Sequence, residues 1–145
     1  MTRVLTCAVL VLFATVVQGR ADDPKPKPVK PSKTWDGMAP LEARKEAPKD
    51  GFVADKEALE KLWKAFRPNE KVPDVDFTRS LLVVAVNEDP NIIKAFATLD
   101  AKGDLTVGHS TTEIAFTNPV TCNYQFALVP RDGVKSVNGK AIDKK

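Results

Sequence analysis

Apolar residues fall in this chain in short runs whose period changes along its length. The densest run is Leu81-Leu82-Val83-Val84-Ala85-Val86, closed by Asn87-Glu88-Asp89-Pro90. It is too short to cross a membrane as a helix, and its unbroken apolar character predicts a strand buried on both faces. Such a strand is central, and Pro73-Asp74-Val75-Asp76-Phe77 leads into it. Upstream the period changes from 2 to 3.6. Leu59, Leu62, Trp63 and Phe66 share one helical face, with Asp55 placed to cap the N-terminus and Glu57 in the first turn. Glu57–Lys61 and Glu60–Lys64 stand four apart in the favourable order, and Arg67-Pro68 stops the helix. An amphipathic helix of this kind must pack its stripe on the sheet.

Downstream, Ile93, Ala95, Ala97 and Leu99 alternate with polar neighbours and predict a strand. Asp100-Ala101-Lys102-Gly103 is a hairpin turn, after which Leu105 and Val107 mark an antiparallel return. Thr112–Thr117, with Ile114 and Phe116, reads as a further short strand closed by Asn118-Pro119. Cys122, Tyr124, Phe126 and Leu128 then share the apolar face of a long strand that ends at Pro130-Arg131-Asp132-Gly133. Val134–Val137, Asn138-Gly139 and Ala141-Ile142 finish the domain. Met38–Ala47, with Pro40 inside it, suits an edge strand at best, and Lys49-Asp50-Gly51 signals a turn before Phe52-Val53. One helix among short turn-separated strands predicts an α+β fold: a mainly antiparallel sheet or partly closed barrel of about six or seven strands, with the helix packed on it.

The N-terminus reads as an export signal over residues 1–21. Arg3 supplies the charge, Val4–Val17 a compact apolar core, and Gly19-Arg20-Ala21 small residues ahead of a cut before Asp22; Val17-Gln18-Gly19 permits one before Arg20. Fourteen apolar residues fall short of the ~20 needed to span a bilayer, so no transmembrane segment is expected after cleavage. Residues 22–34 alternate Lys with four prolines and offer almost nothing to bury. They read as a polyproline spacer, with a tether along an anionic envelope surface as the functional alternative. Residues 35–145 are then a single domain. Of the 22 basic residues, two lie in the leader and four in the spacer, and two of the 19 acidic ones open the spacer. The domain is therefore near neutral and lacks the basic footprint of a nucleic-acid binder.

Candidate chemistry is sparse. Cleavage leaves one cysteine, Cys122, so no internal disulfide forms in an oxidising compartment. Its place on an apolar face reads as a buried small hydrophobe, with a reactive thiol or an intermolecular disulfide as the alternatives. His109 is the only histidine, and beside Ser110 it reads as a residue of a polar loop. No nucleophile elbow accompanies Ser110 or Ser136. A Cys122–His109 dyad is the one enzyme worth naming. Asp74 and Asp76 project from one side of an extended segment, and with Glu88 and Asp89 they could ligate Ca²⁺, yet no EF-hand spacing is present. Asp76 more simply accepts backbone N–H groups of the turn before Phe77. No catalytic, cofactor or metal residue is assigned.

The helix ending in Leu62-Trp63, the Pro73–Phe77 motif opening an apolar strand, the hairpin, and Tyr124–Gly133 with its Val129-Pro130-Arg131 together resemble the PrcB C-terminal-like domain. They are similar also to related small secreted bacterial proteins of the kind common in planctomycetes. The likeness covers roughly residues 50–142, with Asp89-Pro90-Asn91-Ile92 where that family often carries a Gly-Gly-Tyr turn. It implies association with secreted protease complexes and with protease inhibition, and no catalytic set. The expected function is thus that of a secreted or periplasmic module holding an exported protein partner. Loops 118–123 and 131–138, or a sheet edge, would make the contact, and a Cys122–His109 thiol enzyme is the alternative.

Overall fold

The computed structural model describes residues 24–88, 91–112 and 120–142. The expected leader, the expected strand over 112–117 apart from Thr112, and Asp89 lie outside the described residues. In chain order the elements are β1 (Lys27–Pro28), β2 (Lys33–Pro40), a 3-10 turn (Leu41–Glu46), β3 (Phe52–Val53), α1 (Lys56–Phe66), β4 (Ser80–Glu88), β5 (Ile93–Leu99), β6 (Asp104–Thr111), β7 (Thr121–Pro130), β8 (Ser136–Val137) and β9 (Lys140–Ala141). The class is α+β and rich in antiparallel pairs. The strands number nine among the described residues, in two sheets rather than one barrel. One sheet runs β2-β7-β4-β3, the other β1-β5-β6-β8-β9, and only β6–β8 is parallel.

Three layers explain the unbroken apolar run of β4. Residues Leu81–Ala85 are all buried because both faces of their sheet are covered. Leu82 and Val84 join the helix-side core, while Leu81 and Val83 join a second core against the other sheet. β7 does the same beside it: Cys122, Tyr124 and Phe126 face the helix, Ala127 and Val129 the other sheet. In register, Val84 meets Phe126 on one side and Val83 meets Ala127 on the other.

The helix is built as its sequence dictates. Asp55 Oδ1 accepts the Ala58 N–H at 2.8 Å, and Leu59, Leu62, Trp63 and Phe66 are buried, a burial of about 1.5–3 kcal/mol for each side chain before entropy. Trp63 lies at the centre of an aromatic cluster, edge-on to Trp35 at 5.4 Å and tilted against Phe126 at 6.1 Å. Lys61 forms an ion pair with Glu46 of the 3-10 turn at 3.3 Å instead of with Glu57.

Two segments depart from expectation. The strand placed at Met38–Ala47 runs instead from Lys33 to Pro40, paired along its whole length with β7, and Leu41–Glu46 coils as a 3-10 turn. Pro40 ends the strand, and Leu-Glu-Ala-Arg-Lys-Glu after it favours helical backbone. The Lys/Pro stretch, expected to be a solvated spacer, crosses from one sheet to the other. Lys27 and Pro28 pair with Leu99 and Thr98 at the edge of β5, and Val29 donates its N–H to Ala97 O at 2.8 Å. Ser32 then donates both its N–H and its hydroxyl to Leu128 O on β7 at 2.8 and 3.1 Å. Proline is tolerated at such an edge because its missing donor faces away from the ladder. Residues 24–32 form a strap over the seam between the sheets.

Candidate functional site

The side chains from which chemistry could be composed are kept apart. Cys122 is fully buried on the helix side of β7, its Sγ 3.6 Å from Pro40 O, and burial pushes its thiol above the usual range. His109 is exposed on β6 of the other sheet, opposite Ala95, with exposed Ser110 beside it. The fold does not bring this thiol and this imidazole together. Ser136 gives its hydroxyl to Asp104, a carboxylate that also takes the Gly139 N–H at 2.9 Å. Both groups are thereby committed to holding β8 and its turn against β6.

Two of the acidic residues named from sequence, Asp76 and Glu88, likewise have structural partners. Asp76 accepts from the hydroxyl and the N–H of Thr78 at 2.5 and 2.9 Å, which hold its carboxyl below the usual range. The turn it closes runs from Asp76 to Arg79 and contains Phe77 rather than preceding it. Glu88 is paired with Arg44 at 2.5 Å, and Asp74 is exposed. Among the described residues no group of three His, Cys, Asp or Glu side chains could hold a metal ion.

What the tertiary structure does assemble is a polar cleft of about 700 Å³ at the end of the sandwich where β7 stops. Its construction starts with Pro130, which ends β7, and with Arg131, whose N–H bonds to Arg79 O at 2.9 Å. The Arg131 guanidinium reaches back to Phe77 O at 2.9 Å, so the loop after β7 is locked to the turn before β4. Val134 N–H closes on Arg131 O at 3.0 Å and Lys135 N–H on Gly103 O at 2.8 Å. Gly103 has to be glycine here: its φ is +91°, and a Cβ would lie 2.7 Å from Gly133 O. Arg79, Arg131, Asp132, Val134, Lys135 and Ile142 line the cleft, and a smaller one beside it carries Lys30, Ser32 and Asp76, again with Arg79.

Backbone bonds hold this rim, so its charged ends are presented on a rigid frame, the usual situation of a binding loop. The cations recognise carboxylates and phosphates. The Arg79 guanidinium can do so through two parallel N–H donors and the Lys135 ammonium as a point charge, while the Arg131 guanidinium is already given to Phe77 O. Thr78 also lines the cleft, its hydroxyl given to Asp76.

A second polar cluster was not evident in the sequence. Arg67, just past α1, bonds the Tyr124 hydroxyl at 2.7 Å and Asp36 O at 3.3 Å, pairs with Glu70 at 2.7 Å, and lies over the Trp63 ring at 5.3 Å. Tyr124 packs so closely on Gly37 of β2 that a Cβ there would be 2.8 Å from its oxygen. This cluster ties the helix end to both β2 and β7 and is architectural. The Arg131 cleft had one sequence signal, the Pro130-Arg131-Asp132-Gly133 stop. Its partner Arg79 had none, being a lone basic residue before an apolar strand. Of the other loop named from sequence, 118–119 lie outside the described residues, and Thr121–Asn123 belong to β7. Among the described residues no helix is long and apolar enough to cross a membrane. No family model matches this chain, and neither the curated proteins nor the solved structures include a significant match.

Proposed function

We propose that this protein is an exported binding module that holds a protein partner at the rim built by the loop 131–135 and the turn at Arg79. The carrying observation is the cleft of about 700 Å³ whose basic residues sit on a loop and a turn tied together by the Arg131 N–H to Arg79 O bond. Carboxylate side chains, or a chain terminus, are the chemistry such a rim recognises. The likeness to the PrcB C-terminal-like domain directs the proposal toward a protease-associated or inhibitory role, and the apolar N-terminal stretch directs it toward the periplasm, envelope or exterior.

The test is affinity capture from the source's exported proteins, comparing the wild type with Arg79→Glu/Lys135→Glu. Loss of a specific partner in the double variant, with an unchanged thermal midpoint, is the expected result. Equal recovery by both proteins would place the contact elsewhere. A thiol reagent discriminates the enzyme alternative. A buried thiol whose pKa is raised holds little thiolate, so Cys122 should stay unlabelled in the native protein and react on denaturation. Rapid native labelling would reopen thiol chemistry.

A further inference from the structure

Beneath the strap lies an apolar slot that is separate from the basic cleft. It occupies about 280 Å³ between the sheets, walled by Val83, Ala95, Phe96, Ala97, Thr98, Ala127 and Val129, with Pro28, Val29 and Pro31 as its roof. Facing sheets of a sandwich ordinarily fill the ~10 Å between them with interdigitated large side chains. Here three alanines line the space where larger residues would close it. The walls are also largely apolar, with Thr98 their one polar side chain. Ala95 gives its N–H to Gln125 Oε1 at 2.9 Å, Ala97 O receives the Val29 N–H at 2.8 Å, and no charged side chain lines the slot. Water gains few partners there, whereas hydrocarbon replaces missing van der Waals neighbours. The volume of 280 Å³ is about twice that of the roughly 150 Å³ apolar cavity that takes a benzene ring, room for an alkyl chain of medium length.

The roof supplies the second half of the recognition. Lys27 precedes Pro28, and Lys30 stands between the roof residues Val29 and Pro31; both are exposed. Lys30 also borders the small cleft that holds Arg79. The strap is tied to the sheets by a two-residue ladder, the Val29 N–H and the two Ser32 bonds, few enough for it to lift and admit a chain. We infer that the slot binds the alkyl chain of a fatty carboxylate, with the carboxylate held outside against the lysines of the strap.

Calorimetric titration with decanoate below its micelle concentration, alongside neutral decanol, tests this directly. The wild type should bind decanoate saturably with one site. Ala95→Leu, which fills the slot from a half-buried position, should weaken binding roughly tenfold or more. Ala127→Val is a smaller filling that keeps the test available should Ala95→Leu not fold, and its expected effect has the same direction. Lys27→Gln/Lys30→Gln should weaken decanoate roughly twofold to fivefold and leave decanol unchanged. Absence of saturable decanoate binding overturns the inference. So does undiminished affinity in the folded slot-filling variants, or a lysine variant that binds decanoate as the wild type does.

Discussion

Ser32→Pro is the sharpest probe of the strap. The substitution removes two bonds to Leu128 O: the backbone donor, 2.8 Å away, and the hydroxyl, 3.1 Å away. At a net 0.5–1.5 kcal/mol for each ordinary hydrogen bond, the loss is about 1–3 kcal/mol. Ser32→Ala removes only the exposed hydroxyl and should cost at most about 1 kcal/mol, so the two variants separate backbone from side chain. Val29→Asp extends the series by placing a carboxylate in the core shared with Val83, Ala97 and Val129, at a cost of about 2 kcal/mol or more. For a domain of this size each kcal/mol moves the thermal midpoint by about 3–6 °C, within easy reach of calorimetry or circular dichroism. Ser32→Pro should therefore melt at least a few degrees below Ser32→Ala. If Ser32→Pro and Val29→Asp both melt with the wild type, residues 24–32 run as a solvated spacer and the strap argument fails.

The remaining predictions concern the helix and the turn at Asp76. Trp63→Ala empties the centre of the aromatic cluster and should cost about 3–5 kcal/mol, whereas Lys64→Ala on the exposed face should cost a few tenths; equal denaturant midpoints for the two would show that the helix does not pack through Trp63. Asp76 has a carboxyl held below its ordinary 3.8 in the folded state by the Thr78 hydroxyl and N–H. Its contribution is thus full above the unfolded value and is lost as pH falls through the lower folded one. The stability gap between wild type and Asp76→Asn should accordingly narrow between pH 7 and pH 3, and a gap independent of pH would refute the assignment.

The sequence by itself determined those parts whose signals are local. Asp55 followed by Leu59, Leu62, Trp63 and Phe66 specifies a capped helix and its buried face, since cap and stripe lie within three turns of one another. Leu81–Ala85 specifies a strand covered on both sides, and Asp100–Gly103 a tight antiparallel turn with positive φ at Gly103. Alternation along β7 is enough to place Cys122 on the buried face. Tertiary structure decided everything that depends on which backbone meets which. The Lys/Pro stretch has no apolar period, so its side chains carried no sign of docking. Its anchors are carbonyls of Ala97 and Leu128, the latter 96 residues away, reached because β5 would otherwise end its sheet and because β2, which covers β7, begins only at Lys33. The same holds for Arg79, made part of a cleft only because Arg131 N–H closes on its carbonyl. His109 and Cys122 were separated for a related reason. Both lie on strands, but the fold assigns those strands to different sheets, a choice made by long-range pairing that alternation along one strand does not encode.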